Sequence, residues 1–379
     1  MKSRGVWVLT ALLSGACGGV DNETDAPPGP EPEVITLPEG LSDGWNEMAT
    51  GGSTICALGG AYAFWVRPGT VNKVVIDFQG GGACWNALTC GVASQSDAIC
   101  TQSVDGVRAA VAAGVPAGIY DHERADNPFK DWYHVVVPYC SCDVHWGDNT
   151  TTYQASQGEI TIQHRGAVNA RAVLDWVYAS FSKPEQILVT GCSAGSYGSI
   201  AWSAHIAEHY QKSRVVQFGD SGAGVITRSF FEQSFPSWKA EGAMPQWIDA
   251  LDLSKVNLLD LTLADIYVGI ANHYATQMFS QYNTAFDENQ TFYYTAMGGT
   301  DAQAWSQEMH ASIDSIKARA ADFASFLPSG EQHCIIPFDN FYTVNVNGRR
   351  LVDWLGDMVA DKPVEHVACE GSACEAPTP

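Results

Sequence analysis

The pentapeptide Gly191-Cys192-Ser193-Ala194-Gly195 sets a hydroxyl among small residues. An apolar run, Gln186-Ile187-Leu188-Val189-Thr190, precedes it, and a segment with helical spacing, Tyr197 to His209, follows. This is a G-x-S-x-G pattern in strand-turn-helix context. Such a sharp turn exposes and strains the central serine, and small neighbours let the strand and helix backbones nearly touch. The chemistry it suits is nucleophilic attack on a carbonyl. The competing reading is a Gly-rich connection in which Ser193 is merely a turn residue.

A serine nucleophile needs a base within hydrogen-bond reach and an acid to orient that base. On α/β-hydrolase scaffolds the chain order is serine, acid, histidine. His205 and His209 fall on the helix that starts at Ser193 and cannot swing back to it, and His310 lies in a helical segment. His333 follows a polar turn, Pro328-Ser329-Gly330-Glu331-Gln332, and precedes an apolar run, where a catalytic histidine loop belongs. For the acid, Asp287 lies where a strand end turns into a polar loop; Asp220, in Phe218-Gly219-Asp220-Ser221-Gly222, is the rival and suits a pocket wall better. His145, in Asp143-Val144-His145-Trp146-Gly147, and Trp85 are further pocket candidates.

Gln79-Gly80-Gly81-Gly82-Ala83-Cys84 follows the strand that ends at Phe78. Bare backbone N–H groups there can meet a developing oxyanion, with the N–H of Ala194 as a second donor. A phosphate loop would carry a Gly-Lys-Ser/Thr ending, which this run lacks.

Cysteine usage points outside the reducing cytosol. There are 11 cysteines; setting Cys17 aside leaves an even number. Cys192 directly precedes the serine and Cys334 directly follows the histidine. If Ser193 and His333 meet, their neighbours come within disulfide range; an inert, reduced Cys192 at the turn is the other reading. Cys140-x-Cys142 near His145 lacks the spacing and the second pair of a zinc site, so disulfide use is expected and no metal or cofactor is assigned.

Composition narrows the class. The 379 residues are 46% hydrophobic and only 16% charged, enough for one large α/β domain. With 42 acidic against 20 basic residues and a net charge of −22, a nucleic-acid partner is excluded, and a polyanion such as polygalacturonate fits awkwardly. Lys2, Arg4, the apolar run Val6–Leu13 and Ser14-Gly15-Ala16-Cys17 read as an export signal over residues 1–17. Cys17 resembles a bacterial lipoprotein processing site, where it would carry a lipid anchor; ordinary cleavage nearby is the alternative. Residues 18–34 read as a flexible leader, 35–368 as the catalytic domain and 369–379 as a tail. The expected location is the bacterial cell envelope or the extracellular space. Oligomeric state is not indicated.

Strands are expected at Lys73–Phe78, His134–Pro138, Gln186–Val189 and Arg214–Phe218, and helices at Arg165–Phe181 and Trp305–Phe323. Their alternation argues for a mostly parallel sheet with helices on both faces, its site at the carboxyl ends of the strands. Residues 226–280, aromatic and without clear alternation, suggest a cap-like insertion shaping the pocket.

With these residues in hand, the chain resembles the pectin acetylesterase/Notum family of serine esterases, as a bacterial member. The resemblance runs from about Cys56 to Val359. It is carried by Ile55-Cys56 with Tyr62-Ala63-Phe64, by Phe78 to Cys84, by Val137-Pro138-Tyr139-Cys140-Ser141, by Gly191 to Gly195, by Asp220-Ser221-Gly222 and by Phe286-Asp287. It implies an α/β-hydrolase fold, a triad of Ser193, Asp287 and His333, an oxyanion hole at Gly81, Gly82 and Ala194, and no cofactor. It also implies disulfides Cys56–Cys140 and Cys84–Cys90, leaving Cys100–Cys142 and Cys369–Cys374 as remaining pairings. The substrate so implied is an O-acyl ester, acetyl on a polysaccharide or a small molecule. Feruloyl-esterase, thioesterase or polyester-hydrolase activity, or non-catalytic glycan or lipid binding, is the alternative. The cysteines flanking Ser193 and His333 also resemble the arrangement in tannases and feruloyl esterases. Two departures touch the pocket: Ala83 stands where the family often has tryptophan, with Trp85 two places on, and residues 226–281 align poorly.

Overall fold

The computed structural model describes residues 35–370 and Cys374. The expected signal segment, Cys17 and the leader lie outside the described residues, as do 371–373 and 375–379. The strands are β1 (Asn46–Ala49), β2 (Ala63–Arg67), β3 (Lys73–Phe78), β4 (Tyr133–Val137), β5 (Asn149–Ala155), β6 (Gly158–His164), β7 (Gln186–Cys192), β8 (Arg214–Asp220), β9 (Met278–Tyr282), β10 (Phe323–Leu327), β11 (Asn345–Val346), β12 (Arg349–Arg350) and β13 (Val367–Ala368). The helices are α1 (Ala87–Ala93), α2 (Asp105–Ala113), α3 (Gly166–Ser180), α4 (Ala194–His209), α5 (Arg228–Trp238), α6 (Leu263–His273), α7 (Glu288–Ala296), α8 (Ala302–Arg319) and α9 (Leu351–Val359).

One sheet of nine strands, in the order β1-β2-β4-β3-β7-β8-β9-β10-β13, runs through the domain. β1, β2 and β4 pair antiparallel, and every pairing from β4 to β13 is parallel. A parallel sheet covered on both faces calls for continuous apolar strands, and Lys73-Val-Val-Ile-Asp-Phe78 and Gln186-Ile-Leu-Val189 are of that kind. Alternation divides them between two cores. Val74, Ile76, Phe78, Ile187 and Val189 meet the layer that holds α3, α4, α6 and α8. Val75, Leu188, Val216 and Phe218 meet the opposite layer, built on α9 and the turns at Gly118–Tyr120 and Asp339–Tyr342. The fold is of the α/β-hydrolase type, and no helix among the described residues is long and apolar enough to cross a membrane.

Two sequence expectations shift. The helix expected over Trp305–Phe323 spans Ala302–Arg319, and Phe323 opens β10. The run Phe323-Ala-Ser-Phe-Leu327 is buried at every position, and a short apolar run of that kind does not reveal its period. The stretch 226–280 divides. α5 walls one side of the Ser193 cavity, with the turns at Ala240–Ala243 and Leu258–Asp260 packed on it, whereas the turn at Asp249–Leu251 packs on α6, α6 packs on α4 and α8, and β9 joins the central sheet.

Among the described residues there are five disulfides: Cys56–Cys140, Cys84–Cys90, Cys100–Cys142, Cys192–Cys334 and Cys369–Cys374. The sulfurs of Cys140 and Cys142 are therefore in use, each bonded to another cysteine. Cys84, Cys90, Cys100 and Cys142 pack with Tyr153 and Ile162 of the β5–β6 hairpin, forming a small core under the glycine-rich turn.

Buried ionisable groups give the fold a pH dependence. Burial pushes His122 and His164 down to about 3, and His145 down to about 4. The unfolded chain takes those protons near 6.5, so their contribution is present above that pH and lost as pH falls. Burial pushes Asp143 and Asp220 up to about 7, only partly offset by the donors facing them. For these two the folded chain holds the extra proton, which favours folding as pH falls through 7 toward 4. Three histidines outweigh two aspartates, so the melting temperature drops between pH 6.5 and pH 4. A Tm series by scanning fluorimetry that stays flat or rises toward pH 4 would contradict this balance.

Candidate active site

β3 and β7 lie side by side in parallel, with Phe78 opposite Gly191. The turn after β3 and the turn after β7 are therefore neighbours at the carboxyl edge of the sheet. Ser193 adopts φ 58° and ψ −122° between β7 and α4. A non-glycine residue held at positive φ costs on the order of 1–3 kcal/mol, so the surrounding contacts must impose it. Glycine is needed on both sides: a Cβ at Gly195 would lie 1.7 Å from the Phe78 carbonyl oxygen, and one at Gly191 2.4 Å from that same atom. The Ser193 N–H donates to the Asp220 carbonyl at 2.8 Å.

The glycine turn is pinned from outside. Thr101 N–H donates to Gly81 O, Ala83 N–H to Ile99 O, and the Tyr139 hydroxyl to Gly82 O at 2.7 Å. Gly82 itself sits at φ 74°. The amides of Gly81, Gly82 and Ala194 meet no protein acceptor among the described residues. Ala194 opens α4, so its N–H carries the positive end of a 16-residue helix. Three unengaged N–H groups around one serine suit a negatively charged oxygen.

Asp287 and His333 follow β9 and β10, the outer neighbours of β8. Asp287 is fully buried and caps α7: its Oδ1 accepts from Asn289 N–H at 3.1 Å and Gln290 N–H at 2.8 Å, and its Oδ2 from Gln290 Nε2 at 3.0 Å. His333 Nδ1 lies 2.9 Å from both carboxylate oxygens. That leaves Nε2 as the ring nitrogen available for chemistry. Ser193 and His333 line the same cavities. No hydrogen bond joins the Ser193 hydroxyl to Nε2 among the described residues; such bonds often tighten only when substrate binds.

The histidine loop is held by β8. Asp220 Oδ2 accepts from Ile335 N–H at 2.8 Å and Ile336 N–H at 2.9 Å, and the Ser221 hydroxyl accepts from Cys334 N–H at 2.9 Å. The Thr284 hydroxyl donates to Gln332 O at 3.0 Å. Cys192–Cys334, with Cα atoms 5.6 Å apart, ties the nucleophile turn to this loop covalently.

The other pocket candidates stand further back. Asp220 is fully buried beneath the loop it holds and does not line the cavities at Ser193. His145 is buried, its Nε2 2.8 Å from Gln79 O, one residue before the glycines. Its ring packs so closely on Gly198 that a Cβ there would lie 2.8 Å away. Trp85 packs edge-on to Phe230, ring centroids 4.9 Å apart, one layer behind the cavity wall. Sequence reasoning passed over Gln290, which joins Asp287, Asn283 and the Ala223 N–H. Its three-residue spacing from Asp287 was the available signal.

Two spaces open on Ser193. One is an apolar slot walled by Trp146, Ile226, Phe230, Phe235, Trp238 and Met297. The other is a broader groove on the far side of the glycine turn, more polar than the slot.

The profile of the pectinacetylesterase family matches residues 47–239. The chain belongs to that family. Membership makes it a serine carboxylic-ester hydrolase, and as a pectinacetylesterase-family protein its substrates are glycan or small-molecule esters. The matched residues include the glycine turn and Ser193 and end before Asp287 and His333. Two crystal forms of the Wnt deacylase Notum from Drosophila are similar in fold. One has TM-score 0.63 and 16% identity over 89% of this chain and 100% of that chain. The other has TM-score 0.59 and 17% identity over 89% and 99%. No curated protein matches the sequence. The disulfides and the family are consistent with an extracellular protein.

Proposed function

We propose that this pectinacetylesterase-family protein is an exported esterase that cleaves an O-acyl ester through an acyl-enzyme on Ser193. The observation that carries the reading is the His333–Asp287 pair, 2.9 Å at both oxygens, set beside a serine on a strained turn. His333 Nε2 takes the Ser193 proton as Oγ attacks the ester carbonyl. Asp287 keeps Nδ1 protonated and stabilises the imidazolium that forms. The oxyanion is received by the amides of Gly81, Gly82 and Ala194. His333 returns the proton to the departing alcohol, and a water activated in the same way releases the acid.

The apolar slot takes the acyl group and the polar groove takes the alcohol. An acetyl group occupies only the mouth of the slot, whose aromatic wall continues along α5. The fly neighbour's description as a deacylase is in keeping with acyl removal. Export is supported by the signal-like residues 1–17 and by five disulfides, which persist in oxidising compartments, and Cys17 is the proposed lipid attachment site.

A fluorophosphonate probe labels Ser193 in the native protein and not after heat denaturation, as peptide mapping would show. In a nitrophenyl ester series, butanoate is cleaved at least as efficiently as acetate. An unlabelled Ser193 in folded protein would remove the mechanism and favour a glycan- or lipid-binding role.

A further inference from the structure

The geometry points to an alcohol component that is uncharged and rich in hydroxyls, and against a uronate chain such as the backbone of pectin. This rests on the esterase reading and adds the chemistry of the leaving group. The polar groove beside the glycine turn includes Asp77 and Asp97, and Glu288 stands at the adjoining mouth with His333. Neither lysine nor arginine lines any of the three cavities that touch Ser193 or His333 among the described residues. α2 forms one bank of the groove through Gly106, Val107 and Ala110. Its Arg108 is engaged elsewhere, paired with Glu47 and Asp105.

A carboxylate ligand is ordinarily met by arginine or lysine, and its charge must be matched when water is removed. Here it would meet carboxylates, within a chain of net charge −22. Hydroxyl groups, by contrast, find partners. Gln79, Asp97, Thr101 and Asn289 line the groove, and their side chains make no hydrogen bond to protein among the described residues. They comprise amide donors and acceptors, a hydroxyl and a carboxylate, a set that suits vicinal diols. Tyr120, Tyr139 and Tyr293 lie in the same wall. Asp77 is itself held by the Tyr120 hydroxyl.

The test is a matched pair: methyl galactopyranoside and methyl galactopyranosiduronate, each with one O-acetyl group at the same position. Nitrophenyl acetate, which lacks a sugar, reports the acylation chemistry alone. The neutral sugar ester is expected to show a kcat/KM roughly tenfold higher, the size of a few carboxylate repulsions through a water-like medium. The gap narrows as salt rises, and Asp97→Lys narrows it at low salt through faster turnover of the uronate. Equal or better turnover of the uronate by the wild type, with nitrophenyl acetate cleaved, would overturn the proposal. So would failure to cleave either sugar ester while nitrophenyl acetate turns over. Loss of all three activities would bring down the esterase reading beneath it.

Discussion

Ser193→Ala abolishes measurable ester turnover and leaves the protein folded. The expected fall in kcat for a nitrophenyl ester is about 10⁴- to 10⁶-fold, the range over which removal of a serine nucleophile acts. Stability barely moves, because the Ser193 side chain makes no hydrogen bond to protein in this structure and alanine meets the same strain at φ 58°. The expected change in unfolding free energy is within that of an ordinary surface substitution, under about 0.5 kcal/mol. Near-UV circular dichroism separates loss of chemistry from loss of fold. Activity within tenfold of wild type would remove Ser193 from the mechanism.

Asp287→Asn and Asp220→Asn separate the two aspartates that the sequence leaves as rivals. An amide at 287 presents either an oxygen or an NH₂ to His333 Nδ1, and it also faces the Asn289 and Gln290 N–H donors. Those donors take the amide oxygen and turn the NH₂ toward the ring, which forces the proton onto Nε2. The base is then blocked, and kcat falls by about 10⁴, the size seen when a triad loses the right tautomer. Asp220 stands differently. Its Oδ2 accepts from Ile335 and Ile336, and an asparagine oxygen can do the same, so activity should stay within about tenfold. A larger loss in Asp220→Asn than in Asp287→Asn would reverse the assignment.

The nucleophile turn and the glycine run were legible because both depend on local backbone geometry, which small residues announce directly. Ser193 between Gly191 and Gly195 is an instance: the glycines are required by atoms within a few residues or one strand away. The adjacency of Cys192 to Ser193 and Cys334 to His333 was legible too, although the residues alone left a bonded and a reduced reading open. Long-range roles were not legible. Nothing in Phe218-Gly-Asp-Ser-Gly222 states that Asp220 reaches across to amides more than a hundred residues away. β2, β9 and β10 escape the sequence reading for another reason: they are short, and their apolar residues face cores built by distant elements. The slot is likewise a product of packing, drawing its walls from residues as far apart as Val144 and Trp305.

Cys192–Cys334 closes a span of 142 residues that contains β8, β9, β10 and every helix from α4 to α8. In the chain-entropy picture such a closure limits the unfolded ensemble by about 5 kcal/mol. It also has a bearing on recovery from damage. When heat or denaturant melts the oxidised chain, hydroxyl and imidazole stay leashed within a cystine's reach, so renaturation starts with the two partners already side by side. A chain denatured after reduction must find that pairing afresh, among the ten cysteines of the five described disulfides, and its regain of activity is slower and less complete.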